Sequence, residues 1–220
     1  MIDREEHDRV IWIVRHGARL DFEDPGWSAA APRPHDPPLS PQGLREAEQI
    51  SQRLSAESVS HIFSSPFLRT LQTADALARE LLLPIKVEKG LAEWLNREWF
   101  PAPPEILSTE ESLSRFPRIE RDYRSRGSAV YGETGHQALK RSGETALRLT
   151  SDFPEDCVLV AHGASVLGAT VGLLGIPPSE AGGVLGDMPY GCLVKLVQRD
   201  LRWQLVLPCD TSHLGQSGSG

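Results

Sequence analysis

A chain of 220 residues, 40% hydrophobic and 24% charged, has enough apolar side chain to close one sizeable core and lacks the composition of a disordered or fibrous polymer. Its net charge of -7 arises from acidic residues spread along the sequence, with no Lys/Arg cluster able to track a nucleic-acid backbone, so an anionic ligand has to be met by a local pocket. No apolar run approaches a membrane span, residues 1–9 are polar rather than signal-like, and Cys157, Cys192 and Cys209 lack disulfide or zinc spacing, so the reading is a soluble chain in a reducing, cytoplasmic setting.

Residues 10–14 form an apolar, partly β-branched run that stops at Arg15-His16-Gly17, the pattern of a buried strand ending in a loop. A Pro-rich stretch over 25–38 leads to Ser40-Pro41, an N-cap and first-turn proline, and then to a helix with Leu44, Ala47, Ile50 and Leu54 on its apolar face. A second strand follows over 59–63, and Ser65-Pro66 opens a second helix with Leu68, Leu71, Ala74, Ala78 and Leu81 on one face. Residues 85–87 read as a third strand.

From 94 to about 140 the periodicity dissolves into Pro, Trp and mixed charge, which marks an insertion. Order returns with a helix over 144–153, a strand over 158–161, a helix after His162-Gly163, and closing strands over 193–197 and 203–207. The alternation predicts one three-layer α/β/α domain over 1–208, with the insertion above the site and a flexible tail over 209–220. There is no internal repeat and no Gly-Lys-Ser/Thr phosphate loop, and Gly182, Gly183, Gly186 and Gly191 read as turn glycines.

Ligands of open α/β sheets gather where the strands end at their carboxyl edge, where both Arg15-His16 and Ala161-His162 fall. Displacing a phosphoryl group needs a nucleophile, cations around the equatorial oxygens and a proton donor for the leaving oxygen. His16 is flanked by Arg15 and Arg19, whose guanidiniums can fork onto phosphate oxygens where a lysine acts as a point charge. Taken alone, an Arg-His pair reads equally well as a solvated loop.

Val-Arg-His-Gly-Ala-Arg over 14–19 resembles the Arg-His-Gly signature of the histidine phosphatase (phosphoglycerate mutase-like) superfamily. Leu-Ser-Pro-Gln-Gly-Leu over 39–44, Ser-Pro-Phe-Leu-Arg-Thr-Leu-Gln-Thr-Ala over 65–74 and Val-Ala-His-Gly over 160–163 resemble further motifs of that family, in its order. The resemblance implies a phosphohistidine at His16, a phosphate pocket completed by Arg15, Arg69 and His162, and no metal or cofactor. Arg69, near a helix amino end, would add its charge to free N–H groups facing the same anion, and a protonated His162 would place positive charge beside the transferring group.

Glu93 stands where the family carries its proton donor, between Leu91 and Trp94, with Glu98 as the rival position. Mutases of the family carry Glu-Ser after Arg-His-Gly, whereas Ala18-Arg19 here is similar to the phosphatase branch of the Sts (ubiquitin-associated and SH3 domain-containing) and ecdysteroid-phosphate phosphatase proteins. Gly163 departs from that branch and leaves its substrate preference open.

The implied activity is that of a phosphomonoesterase acting on a phosphorylated small molecule or phosphoprotein, with Trp94, Trp99, Phe100 and Phe116 as an aromatic wall and a homodimer as one state compatible with such a domain. A mutase-type phosphotransferase and a non-catalytic phosphate-binding module are the alternatives. Neither nucleic acid nor membrane is expected as a partner.

Overall fold

The computed structural model describes residues 8–215, so the first seven of the polar residues read at 1–9 lie outside it. Strand β1 (Arg9–Arg15) alternates its side chains between two buried faces, Trp12 and Val14 on one, Ile11 and Ile13 on the other. After it come two one-turn helices, α1 (Leu20–Glu23) just before the Pro-rich stretch and α2 (Trp27–Ala30) within it. Helix α3 (Pro41–Leu54) starts as its sequence dictates, with Ser40 Oγ accepting from Gly43 N at 3.0 Å and Pro41 in the first turn.

The apolar stripe of α3 is the expected one at Ala47, Ile50 and Leu54, all buried, and departs from it only at Leu44. Leu44 is 47% exposed, and Gly43 takes the inward position, where an added Cβ would lie 2.1 Å from Ala18 O. Only glycine permits that contact between helix and site loop.

Strand β2 (His61–Ser64) leads to helix α4 (Leu68–Leu81), which begins three residues after Ser65; the Ser65 hydroxyl lies 2.7 Å from His162 Nε2 and accepts from Phe67 N at 3.4 Å, while Leu68 N donates to Asp36 Oδ1 at 2.8 Å. The cap is thus borrowed from a distant loop. Strand β3 (Ile85–Val87) passes into a 3-10 turn (Lys89–Leu91).

The insertion is shorter and more ordered than its composition suggests. It holds α5 (Thr109–Arg115), runs beside the sheet edge through the Ile85–Ile119 bridge, and ends where α6 (Gly135–Asp152) begins, nine residues before the expected start at 144. The reciprocal cap between Thr134 and Gln137 is the sequence signal for that start.

Strand β4 (Cys157–Ala161) and helix α7 (Gly163–Leu174) follow, then β5 (Leu193–Arg199) and β6 (Arg202–Asp210). The sheet order is β3-β2-β4-β1-β5-β6, parallel through the first four strands and antiparallel in the last two pairings. Helices α3 and α4 contribute to the core on one face, α6 and α7 to the core on the other, which makes the three-layer α/β/α arrangement.

Beyond residue 208 the chain stays paired rather than forming a tail. β6 reaches Asp210, and His213 Nε2 lies 3.1 Å from Gly191 O; residues 216–220 lie outside the described part. No helix among the described residues is long and apolar enough to cross a membrane.

Candidate active site

The parallel register Arg15↔Ala161 sets His16 and His162 side by side at the carboxyl ends of the neighbouring strands β1 and β4, with ring centroids 5.2 Å apart. Three main-chain bonds fix the first of them: Arg15 N to Cys192 O and His16 N to Ala161 O, both 3.1 Å, and Gly191 N to His16 O, also 3.1 Å. Ala18 N donates to Glu46 Oε2 at 2.7 Å and holds the loop that follows.

His16 is 2% exposed, and its Nδ1 lies 2.7 Å from Gly17 O. A carbonyl only accepts, so Nδ1 carries the hydrogen and Nε2 keeps its lone pair; Arg69 Nε donates towards that lone pair at 3.2 Å. Burial first, and the Arg69 guanidinium second, push the imidazole well below the usual histidine range, which keeps it in the neutral, nucleophilic form.

Arg69 is buried and reaches Glu93 Oε2 through Nη2 at 3.2 Å, while its Nη1 has only a charge contact with Asp36 Oδ1 at 3.8 Å. Glu93 is 8% exposed; its Oε1 accepts from Trp94 N at 3.0 Å, and its Oε2 lies 3.4 Å from His162 Nδ1. Glu98 is exposed and away from this cluster. Ser65 Oγ, 2.7 Å from His162 Nε2, and Phe67, edge-on to the same ring at 5.1 Å, orient the second histidine.

His162 departs from expectation in its charge. Burial, then Arg69, then His16 hold it well below the ordinary histidine value, so in the free site the ring is neutral rather than protonated.

Arg15 stacks over the Tyr190 ring at 4.2 Å and donates from Nη1 to Met188 O. Arg19 is clamped by Asp21, with Nε to Oδ1 at 3.0 Å and Nη2 to Oδ2 at 2.6 Å, so it stands at the rim with its fork engaged. Arg15 Nε, Arg69 Nη1 and His162 Nδ1 are buried and have no hydrogen-bond partner among the described residues. Unpaired buried N–H groups are costly, and the open donors Arg15 Nε and Arg69 Nη1 near His16 suit acceptor oxygens.

A cavity of about 670 Å³ adjoins the two arginines, and neither His16 nor His162 is among its lining residues. Arg15, Arg19, Arg69 and Glu93 line it, with Trp99 and Phe100 from the insertion. The expected aromatic wall is only partly right. Phe116 is buried in the core with α4, and Trp94 packs edge-on against Trp99 at 5.2 Å, while Phe22 and Tyr190 line the cavity instead. Asp36, Ser65 and Tyr190 were not legible as site residues; the one signal for Tyr190 is its place before Gly191 at a strand start.

The buried titratable groups link the site to stability. Unfolded histidines take up protons below about pH 6.5, which His16 and His162 do not do when folded, so their contribution is full above that pH and is lost as pH falls through it. Asp36 acts oppositely: burial raises it from 3.8 to about 6, so its contribution is full below its unfolded value and lost as pH rises to about 6. Two protons gained against one released leave about one net proton bound on unfolding between those limits. The urea midpoint is expected to fall from pH 6.5 to 5, and less steeply in His162→Asn. A midpoint independent of pH in both proteins would contradict this.

Sheet order, two facing histidines and the buried arginine define the class. The chain belongs to the histidine phosphatase superfamily (branch 1), whose family model matches residues 11–211. It is 29% identical over 244 aligned positions to the human (Homo sapiens) ubiquitin-associated and SH3 domain-containing protein A, covering 91% of this chain and 37% of that protein. It is 27% identical to the ecdysteroid-phosphate phosphatase of Drosophila melanogaster, covering 91% of this chain and 32% of that protein. The chain thus spans about a third of the length of these curated relatives. Among solved structures it is similar in fold to the ecdysone phosphate phosphatase from Bombix mori in complex with tungstate, with a TM-score of 0.75, 23% identity and coverage of 93% of this chain and 94% of that one.

Proposed function

We propose that this chain hydrolyses phosphate monoesters in two steps, first transferring the phosphoryl group to His16 Nε2 and then to water. The observation that carries this reading is the lone-pair-bearing Nε2 of a neutral histidine facing Arg69 Nε, with the unpartnered Arg15 Nε and Arg69 Nη1 on two arginines that line the neighbouring cavity. In the first step Nε2 forms a bond to phosphorus, the ester P–O bond breaks, and the leaving oxygen takes a proton from Glu93. In the second, water attacks the phosphohistidine, gives its proton to Glu93, and phosphate leaves. Splitting one hard displacement into two easier ones is the advantage of the covalent route. The arginines supply charge where the equatorial oxygens accumulate it.

A cavity of about 670 Å³ is far larger than a phosphate group and is walled by Phe22, Trp99, Phe100 and Tyr190. That wall supports an aryl or similarly bulky apolar leaving group over a small hydrophilic one. Three free thiols, two of them buried, support a cytoplasmic setting.

The test is a panel of phosphomonoesters. Nitrophenyl and naphthyl phosphates are expected to be hydrolysed with higher kcat/KM than phosphoglycerates. No turnover of any monoester would leave a binding module, and isomerisation of a phosphoglycerate with its bisphosphorylated activator would replace the hydrolase by a mutase.

A further inference from the structure

Glu93 lies in an irregular segment just past the 3-10 turn Lys89–Leu91, so no ladder or helix fixes its main chain. Ser165 of α7 donates from Oγ to Ala92 O at 2.6 Å, and the rest of that task falls to Arg141, which projects from α6. Its Nη1 donates to Gly90 O at 2.8 Å and Ala92 O at 3.1 Å, its Nη2 to Glu93 O at 3.2 Å and Glu133 Oε1 at 2.6 Å, and its Nε to Glu133 Oε2 at 3.0 Å. All five N–H donors of a guanidinium are thereby used.

Glu133 completes the brace on the far side, accepting from Leu95 N through Oε1 at 3.3 Å and from Trp94 Nε1 through its carbonyl at 2.8 Å. Both side chains are buried, 9% and 6% exposed. A buried ion pair is weak evidence for stability, because desolvation offsets the attraction, and is better explained by what it holds in place. Here it holds every main-chain carbonyl from Gly90 to Glu93 except that of Leu91, together with the amide of Leu95.

We infer that the Arg141–Glu133 pair is a positioning device for the Glu93 carboxyl, fixing the point from which it hands its proton to the leaving oxygen. The inference rests on the proton-donor role proposed for Glu93. The turn itself is held separately by Glu88, whose carboxylate accepts from Gly90 N at 2.8 Å and Gly127 N at 3.0 Å, so loosening the brace shifts residues 92–95 without dismantling the site. A lysine cannot replace the brace: its ammonium offers three donors from one point rather than a planar fork.

The experiment compares kcat/KM for aryl phosphates graded by the acidity of the departing phenol, in wild type, Arg141→Lys, Glu133→Gln and Glu93→Gln. A poor leaving group such as phenol needs the proton; 2,4-dinitrophenolate departs without it. Arg141→Lys is expected to lower kcat/KM about tenfold on phenyl phosphate and less than about twofold on 2,4-dinitrophenyl phosphate, a misplacement effect on general acid catalysis. Glu93→Gln should show the same selectivity more strongly, and Glu133→Gln more weakly.

If Glu93→Gln is selective and Arg141→Lys lowers all substrates equally or none, the positioning role is overturned while the proton-donor role stands. If Glu93→Gln itself is unselective, both fall. Should Arg141→Lys fail to fold, Glu133→Gln decides, and an unselective Glu133→Gln then overturns the inference.

Discussion

Replacing His16 by alanine is expected to lower kcat/KM for an aryl phosphate by at least about 10⁴-fold, the scale on which removal of a covalent nucleophile acts. The loss should be chemical. Nε2 is the lone-pair-bearing nitrogen facing the Arg69 fork, since the other nitrogen is spent on Gly17 O. Two main-chain bonds hold residue 16 and a third holds Arg15 before it whatever the side chain at 16, so far-ultraviolet circular dichroism and the affinity for phosphate are expected to change little. The decisive measurement is trapping of the phosphoenzyme. Wild type quenched during turnover should carry an acid-labile, alkali-stable phosphoryl label, and His16→Ala none. A label of that kind retained by the alanine variant would place the nucleophile elsewhere.

Arg69→Met should reduce both catalysis and stability. The side chain is 1% exposed and serves His16, Glu93 and Asp36 at once. Methionine fills space but leaves the neighbouring carboxyls without their cation. Breaking a buried pair from one side costs about 3–5 kcal/mol, to be read from urea unfolding at pH 7.

The cost should shrink near pH 5. Burial already raises Asp36 to about 6 with Arg69 present, and without that cation the carboxyl takes up a proton more readily. Activity should fall by about 10³-fold or more through loss of transition-state charge stabilisation. Arg69→Lys should recover more of the stability than of the activity, because a point charge satisfies Asp36 but not a forked contact with phosphate oxygens. Near-wild-type turnover by Arg69→Met would remove it from the phosphate pocket.

What the sequence discloses about this molecule follows the range of the forces concerned. Strands β1, β2 and β4 are short apolar runs buried on both faces, and α3 carries its own start signal in Ser40-Pro41, so local pattern suffices for them. His16, Arg69 and His162 are legible because each follows or opens such an element at one edge of the sheet.

Asp36 was invisible because its partners, Leu68 N and Arg69, lie more than thirty positions away, and nothing in a Pro-rich loop announces a cap for someone else's helix. Phe116 lies in the core and Tyr190, for which the sequence carried no expectation, lines the cavity, for a related reason: hydrophobicity says that a ring will be buried, not against which wall. The neutral state of His162 likewise depends on how completely Ser65 and Phe67 enclose it. The early start of α6 was within reach, in the Thr134 to Gln137 cap that sits inside a stretch of mixed charge.

The two histidines occupy equivalent places on adjacent parallel strands, and that has an architectural consequence. Strands in a sheet stand about 4.8 Å apart because the peptide hydrogen bond has one length, and the imidazole centroids stand 5.2 Å apart. The spacing of the two rings is therefore borrowed from the polypeptide backbone. Phe22, Trp99 and Tyr190 line the cavity away from that strand pairing, so substitutions there reshape its walls and leave the register of His16 and His162 as the sheet sets it. The shape of the cavity and the spacing of the histidines are thus set by different parts of the molecule.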